Sequence, residues 1–170
     1  VPCFIGAWPC HTAKGYVGGP QIAYTYEEAV AIGGYSDEWR NADGSPKWSL
    51  CQAMYGFLML ASMSPAIFIN VYDPSKHKTA VESTEYEVKD HSIALTDAID
   101  DEGLSLTTAD DNTLPLVKGK DYDAFYVNNN LVIELLEDGN SFTATKIKAG
   151  YNKADLTAIT AETISAAIEQ

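Results

Sequence analysis

The chain has 170 residues, enough for one full domain or two small ones, and its 46% hydrophobic content places it away from disordered proteins. A formal net charge of -13 argues against nucleic acid and against anionic membrane surfaces, since both are held by Lys and Arg. Cys3, Cys10 and Cys51 are odd in number and form no CxxC pair, which argues against a disulfide framework and for a reducing setting.

The opening residues 2–8 read as a short buried strand, because Cys3, Phe4 and Ile5 are continuously apolar. Residues 9–20 form a loop punctuated by Gly15, Gly18, Gly19 and Pro20, and residues 21–24 a short extended piece. The start lacks the basic residues and apolar run of a secretory leader, and the chain opens on Val1, as a piece of a longer protein would. Thr25 and Glu28 predict a capping box, and Gly33-Gly34 the end of that helix. A polar loop over 35–47 carries a turn at Asp43-Gly44.

Residues 48–72 carry no charge. A membrane span needs about 20 continuous apolar residues. Here Gln52, Asn70 and the Ser-Met-Ser-Pro break at 62–65 interrupt the run, so no membrane insertion is expected. Pro65 splits it into a helix over 49–63 and a strand over 66–72. Ser49 is placed to cap that helix, and Leu50, Met54, Phe57, Leu58 and Ala61 make its apolar stripe. With Cys51, Ala53, Tyr55, Met59 and Leu60 nearly apolar as well, it is expected to be buried on several sides. Strand, helix, helix, strand is a crossover pattern that favours a parallel or mixed sheet.

Beyond Lys76 the texture changes to short runs at 78–88, 93–95, 104–107, 114–117, 124–127, 131–136 and 142–147, separated by Gly, Asn and Asp. These predict an all-β sandwich or partly closed barrel, with 124–147 as a three-stranded meander. Residues 82–123 hold twelve acidic residues against Lys89, Lys118 and Lys120, nine of the thirteen excess negative charges. Thr160 then caps a last helix with Ile164, Ala167 and Ile168 on its apolar face. The expected fold class is α+β: a partial α/β core over 1–81, an acidic β-rich insertion over 82–152, and a helical return to the core over 153–170.

The chemistry-bearing residues form no constellation. Cys51 lies in a first helical turn, where the dipole favours thiolate, but nothing places His11, His77 or His91 beside it, and a buried small hydrophobe is the simpler reading. Cys10-His11 lacks the second ligand pair that zinc needs. The groups Asp100-Asp101-Glu102, Asp110-Asp111 and Asp121 with Asp123 lack the alternation of a calcium loop and read as solvated turns. Lys14 with Gly15, Gly18 and Gly19 fits no phosphate loop. No catalytic, cofactor-binding or metal site is expected, and no cofactor. Tyr16, Tyr24, Tyr26 and Tyr35 are more phenols than a core edge requires, and Tyr is favoured at interfaces.

The order of segments resembles contractile phage tail sheath proteins. Val1-Pro2 and Ile5-Gly6-Ala7 match that family's opening strand, and Pro20, Thr25, Tyr26, Glu28, Ala29 and Gly33-Gly34 match its extended element and capped helix. Residues 50–57 match the long helix and 68–71 the following strand. The stretches GKDYDAFYVNNNLVIELL and KIKAGYNKADLTAIT look like the insertion domain of the smaller members and its exit. Cys3 and Cys10 stand where small residues are usual, and a sheath subunit is expected to continue past Gln170. The resemblance implies a structural, non-enzymatic subunit of a virion tail or contractile injection system, assembled in the bacterial host cytoplasm. Its implied partners are other copies of itself, a tail tube protein and baseplate proteins, and an acidic insertion would face solvent. Two other readings compete. One is a binding module whose β region recognises a cell-surface glycan or protein. The other is a hydrolase using Cys51 or an acidic pair.

Overall fold

The computed structural model describes residues 1–100, 103–110 and 114–169. Among them are three α-helices and ten strands in several sheets, with no closed barrel, so the fold belongs to the α+β class. The chain forms two compact units, Val1–Lys78 with Asp155–Gln170, and Thr79–Ala154.

The first unit is built on a three-stranded mixed sheet. Strand β1 (Cys3–Gly6) and strand β2 (Pro20–Ala23) flank the central β3 (Ala66–Asn70). β1 runs parallel to β3 with Phe4 beside Phe68, while β2 runs antiparallel with Gln21 beside Phe68. Phe4, Phe68 and Ala23 therefore point to one face, and Cys3, Ile5, Ile22, Ile67 and Ile69 to the other. On the first face Phe68 packs against Phe4 and Trp8, and Phe4 against Phe57.

Helix α1 (Tyr26–Gly33) starts where the capping residues predict. Thr25 Oγ1 accepts from the Glu28 amide at 3.1 Å. The return contact differs from a standard box: Glu28 Oε2 takes the amide of Tyr24, one residue earlier, at 2.8 Å. Gly34 ends the helix at φ +76°. In the polar loop that follows, Asp43 Oδ1 accepts from the Ser45 amide and Gly44 takes φ +83°.

Helix α2 (Ser49–Met54) runs on as a π-helical stretch, Tyr55–Leu60, in which the Ala61 amide reaches back five residues to Gly56. Three expectations are corrected here. Ser49 is the first helical residue rather than the cap, and its hydroxyl accepts from the Ala7 amide at 3.4 Å. The helical stretch stops at Leu60, because the wide turn and Pro65 end it early. Its buried residues are Leu50, Cys51, Met54 and Leu58, which lie on one side, while Met59, Leu60 and Ala61 are exposed. Among the described residues no helix is long and apolar enough to cross a membrane.

Helix α3 (Ala161–Ile168) belongs to this first unit, capped by Thr160 and Thr163 in a reciprocal box. Its Ala167 packs with Ile69 and Val71, and Ile159 closes that small cluster.

The second unit is a two-sheet sandwich. The first sheet has β10 (Lys146–Ala154) at its centre, flanked by β4 (Lys78–Glu87) and β6 (Ala98–Ile99), with β7 (Ser105–Thr108) also on β10. The second orders β5 (Ser92–Thr96), β9 (Asn130–Leu135) and β8 (Tyr122–Val127). Alternation sends Ile93, Leu95, Leu131, Ile133, Leu135 and Tyr122 inward, onto Leu106, Ile147, Ala149 and Tyr151 of the first sheet. The β8–β9 turn is present, with Asn128 at φ +55°. The predicted meander is not. The third strand beside β9 is β5, since residues 142–144 form a turn and β10 begins only at Lys146. Residues 114–117 form no strand; Leu116 donates one amide to the Leu106 carbonyl and Pro115 makes an isolated bridge to Thr107.

Candidate functional site

The two faces of the β1–β3–β2 sheet have unequal cover. The first carries α1, α2 and the aromatic packing around Phe68, which is fully buried. On the second, α3 covers the end of β3 at Ile69 and Val71. Towards the other end Cys3 is exposed, Ile67 is half-buried, and Ile5 and Ile22 keep 46% and 48% of their surface open. The central strand is apolar on both faces, a pattern that belongs to strands covered twice. Among the described residues β1 and β2 are each paired with a strand on one side only, so both are edge strands. This corrects the reading of residues 2–8 as a buried strand. Only Phe4 of its three apolar residues turns towards the helices.

A second apolar feature belongs to the same unit. Tyr26 lies edge-on to Tyr35 and Tyr55, with ring centroids 6.5 and 6.1 Å away, and Trp39 tilts onto Tyr55 at 5.6 Å. All four rings are half-buried. Burial pushes the Tyr26 phenol up to about 12, with smaller contributions from the neighbouring phenols, so that phenol is neutral at physiological pH. Tyr16 and Tyr24 stand apart from it and are exposed.

The titratable candidates are dispersed. Cys51 is fully buried, its Sγ faces the Gly34 carbonyl at 4.0 Å, and burial pushes the thiol up to about 12. Its place in the first turn of α2 therefore yields no thiolate at neutral pH. Cys10 is likewise pushed up to about 12 by burial, against a hydrogen bond from Asn70 Nδ2 at 3.4 Å. That asparagine is a structural hub: its Oδ1 accepts from the Tyr72 amide and its Nδ2 donates to the Tyr72 carbonyl. His11 meets the Tyr72 hydroxyl at 3.2 Å, His77 accepts from the Asp73 amide, and His91 stacks on Phe142 at 3.9 Å.

Of the acidic residues, Asp121 is buried as an acceptor for three N–H donors, and Asp123 accepts the Ala124 amide. Asp100 pairs with Lys118 at 3.3 Å, and Asp110 is exposed. Asp101, Glu102 and Asp111 lie outside the described residues. Gly15 and Gly19 take positive φ with open space around them, and Lys14 is exposed. Among the described residues no three His, Cys, Asp or Glu side chains converge as a metal site would need.

The open apolar positions that the sequence did not single out as a surface are Cys3, Ile5, Ile22 and Ile67. The signal for three of them is two-sided apolarity in residues 3–5 and 66–69, a pattern typical of strands covered on both faces. The geometry thus offers a half-covered sheet bounded by edge strands and a set of dispersed acids, thiols and imidazoles. Comparison with protein-family models, with curated proteins and with solved structures gives no match for this chain.

Proposed function

We propose that this chain is a structural subunit of a contractile tail sheath, which polymerises around a tail tube and contracts to drive the tube through a cell envelope. The observation that carries the reading is the open second face of the β1–β3–β2 sheet, with Ile5 and Ile22 half exposed on the edge strands β1 and β2. An apolar face of this kind in a soluble chain marks a surface that another layer covers. In the assembled sheath that layer is further chain, from the same subunit or a neighbouring copy. The sequence resemblance through Val1-Pro2, Ile5-Gly6-Ala7, Thr25, Glu28 and Gly33-Gly34 names the kind of assembly. Its partners are then other copies of itself, the tail tube protein and the baseplate, in a virion tail or related injection particle. Contraction in such a lattice draws on two packings of the same subunits and needs no bound nucleotide.

The acidic second unit suits the outer surface of such a sheath, because like charges repel when brought close around a central tube. Gold-labelled antibody against this chain, imaged on contractile particles from cells that encode it, tests the assignment. Label spread along the whole tail length is the expected result. Label confined to the particle tip, as for a receptor-binding module, or absent from particles, would overturn it.

A further inference from the structure

His77 sits in the turn that follows β3, and it is buried, with 6% of its surface accessible. Its Nδ1 accepts the Asp73 amide at 2.9 Å, so the neutral ring carries its proton on Nε2. Its own carbonyl accepts the Asp155 amide at 3.0 Å. Asp155 is where the chain re-enters the first unit, and Lys78 is where it leaves. The Asp73 carbonyl also takes the His77 and Lys76 amides, at 2.8 and 3.1 Å, so the imidazole adds a side-chain bond to a turn whose last residue ties both chain crossings together on the first unit.

We propose that His77 is a pH-sensitive latch: a proton added to Nδ1 sets two N–H donors against each other, pushes the Asp73 amide off the ring and loosens the turn whose His77 carbonyl holds the Asp155 amide. A cavity of about 210 Å³ opens onto the ring between Tyr16, Lys76 and Thr163, and it gives water and protons a route to the imidazole. The charged groups around the ring are few. Asp73 and Lys76 belong to the turn itself and pair with each other at 3.3 Å. Asp155 comes from the returning segment, and α3 brings only Thr163 and alanines to the cavity. Burial holds the imidazole below its ordinary range, Lys76 acts in the same direction, and Asp73 and Asp155 oppose them. Because the folded value is the lower one, the latch is fully closed above the ordinary histidine value of about 6.5. It is lost as the pH falls through the folded value.

The test is backbone amide exchange at Asp73 and Asp155 between pH 7.5 and 5.0, corrected for intrinsic rates, beside the imidazole ¹⁵N titration of His77. The expected result is loss of protection at both amides in step with that titration, while the Phe68 amide in the sheet stays protected. His77→Asn keeps an acceptor near the Nδ1 position and removes the titration, so it should show no step. Flat protection at Asp73 through the titration would overturn the latch. So would a loss of protection at a pH away from it, or the same step in His77→Asn. The two ¹⁵N readouts on the unaltered chain decide the matter even if the variant does not fold.

Discussion

Gly33→Ala is expected to destabilise the first unit by about 3 kcal/mol, the upper range for overpacking a rigid site. A Cβ at Gly33 would stand 2.0 Å from Trp8 Cδ2 and 2.3 Å from Cε3. The indole cannot retreat, since Trp8 is 2% exposed and packs on Phe68 with centroids 5.5 Å apart. This glycine is required for close approach between α1 and the segment after β1, whereas its neighbour Gly34 is required for positive φ. Gly56→Ala is the contrast. Nothing lies within 4 Å of that Cβ, and the position is helical, so the change should be neutral or stabilising by up to about 1 kcal/mol. The chain's three tryptophans, Trp8, Trp39 and Trp48, all lie in the first unit, so their fluorescence during denaturant unfolding reads both variants there. Equal stability of the two variants would contradict the packing described.

Asp121→Ala is expected to cost the second unit about 2 kcal/mol, since it removes a buried carboxylate that three part-buried N–H donors share. Oδ2 accepts the Val117 amide at 2.9 Å, and Oδ1 accepts the Asn140 amide and side-chain nitrogen at 3.1 and 3.0 Å. The carboxylate thus ties the loop before β8 to the turn after β9, and Gly139 lets that turn approach the Asp121 backbone. The backbone N–H of Asn140, then that of Val117, hold the carboxyl below the usual range, against some burial. A folded value below the unfolded one means that the stabilisation is present above the unfolded value of about 3.9 and is lost as pH falls through the folded value. Circular dichroism of acid unfolding should therefore lose part of its pH dependence in Asp121→Asn. An unchanged acid transition in that variant would show that the carboxylate is not held as described.

Local signals in the sequence found what depends on neighbouring residues. Thr25 and Thr160 cap their helices, Gly34 ends α1, and the Asn128-Asn129 turn joins two strands. Each of these rests on contacts within a few residues. What the sequence hid depends on distant partners. β9 has strong alternation, yet its partner β5 lies more than thirty residues upstream, and adjacency favoured residues 142–147 instead. β6 is two residues long and exists only because β10 passes beside it. At the candidate site the difficulty was different. Cys3, Phe4 and Ile5 are apolar at every position, so periodicity could not separate a covered side from an open one. The burial of Cys51 was readable from its apolar surroundings, while the tie between His77 and Asp155, 78 residues apart in sequence, was not.

The long uncharged stretch acquires its meaning from this same sheet. Its first part supplies Leu50, Met54 and Leu58 to one side of β3, and its second part is β3 itself. Among the described residues the other side of β3 is covered near its end by Ala167 and Ile159. Met59, Leu60 and Met63 add exposed apolar surface at the far end of the helix. In the proposed sheath assembly, neighbouring chain would cover such surface.

Sedimentation velocity over a wide concentration range, comparing the chain with an Ile5→Ser/Ile22→Ser double variant, tests most directly whether the open sheet face is an assembly surface. The account predicts weak, concentration-dependent association of the unaltered chain, with the double variant remaining monomeric at unchanged tryptophan fluorescence. A strictly monomeric unaltered chain at every concentration, or equal association of the two proteins, would contradict it.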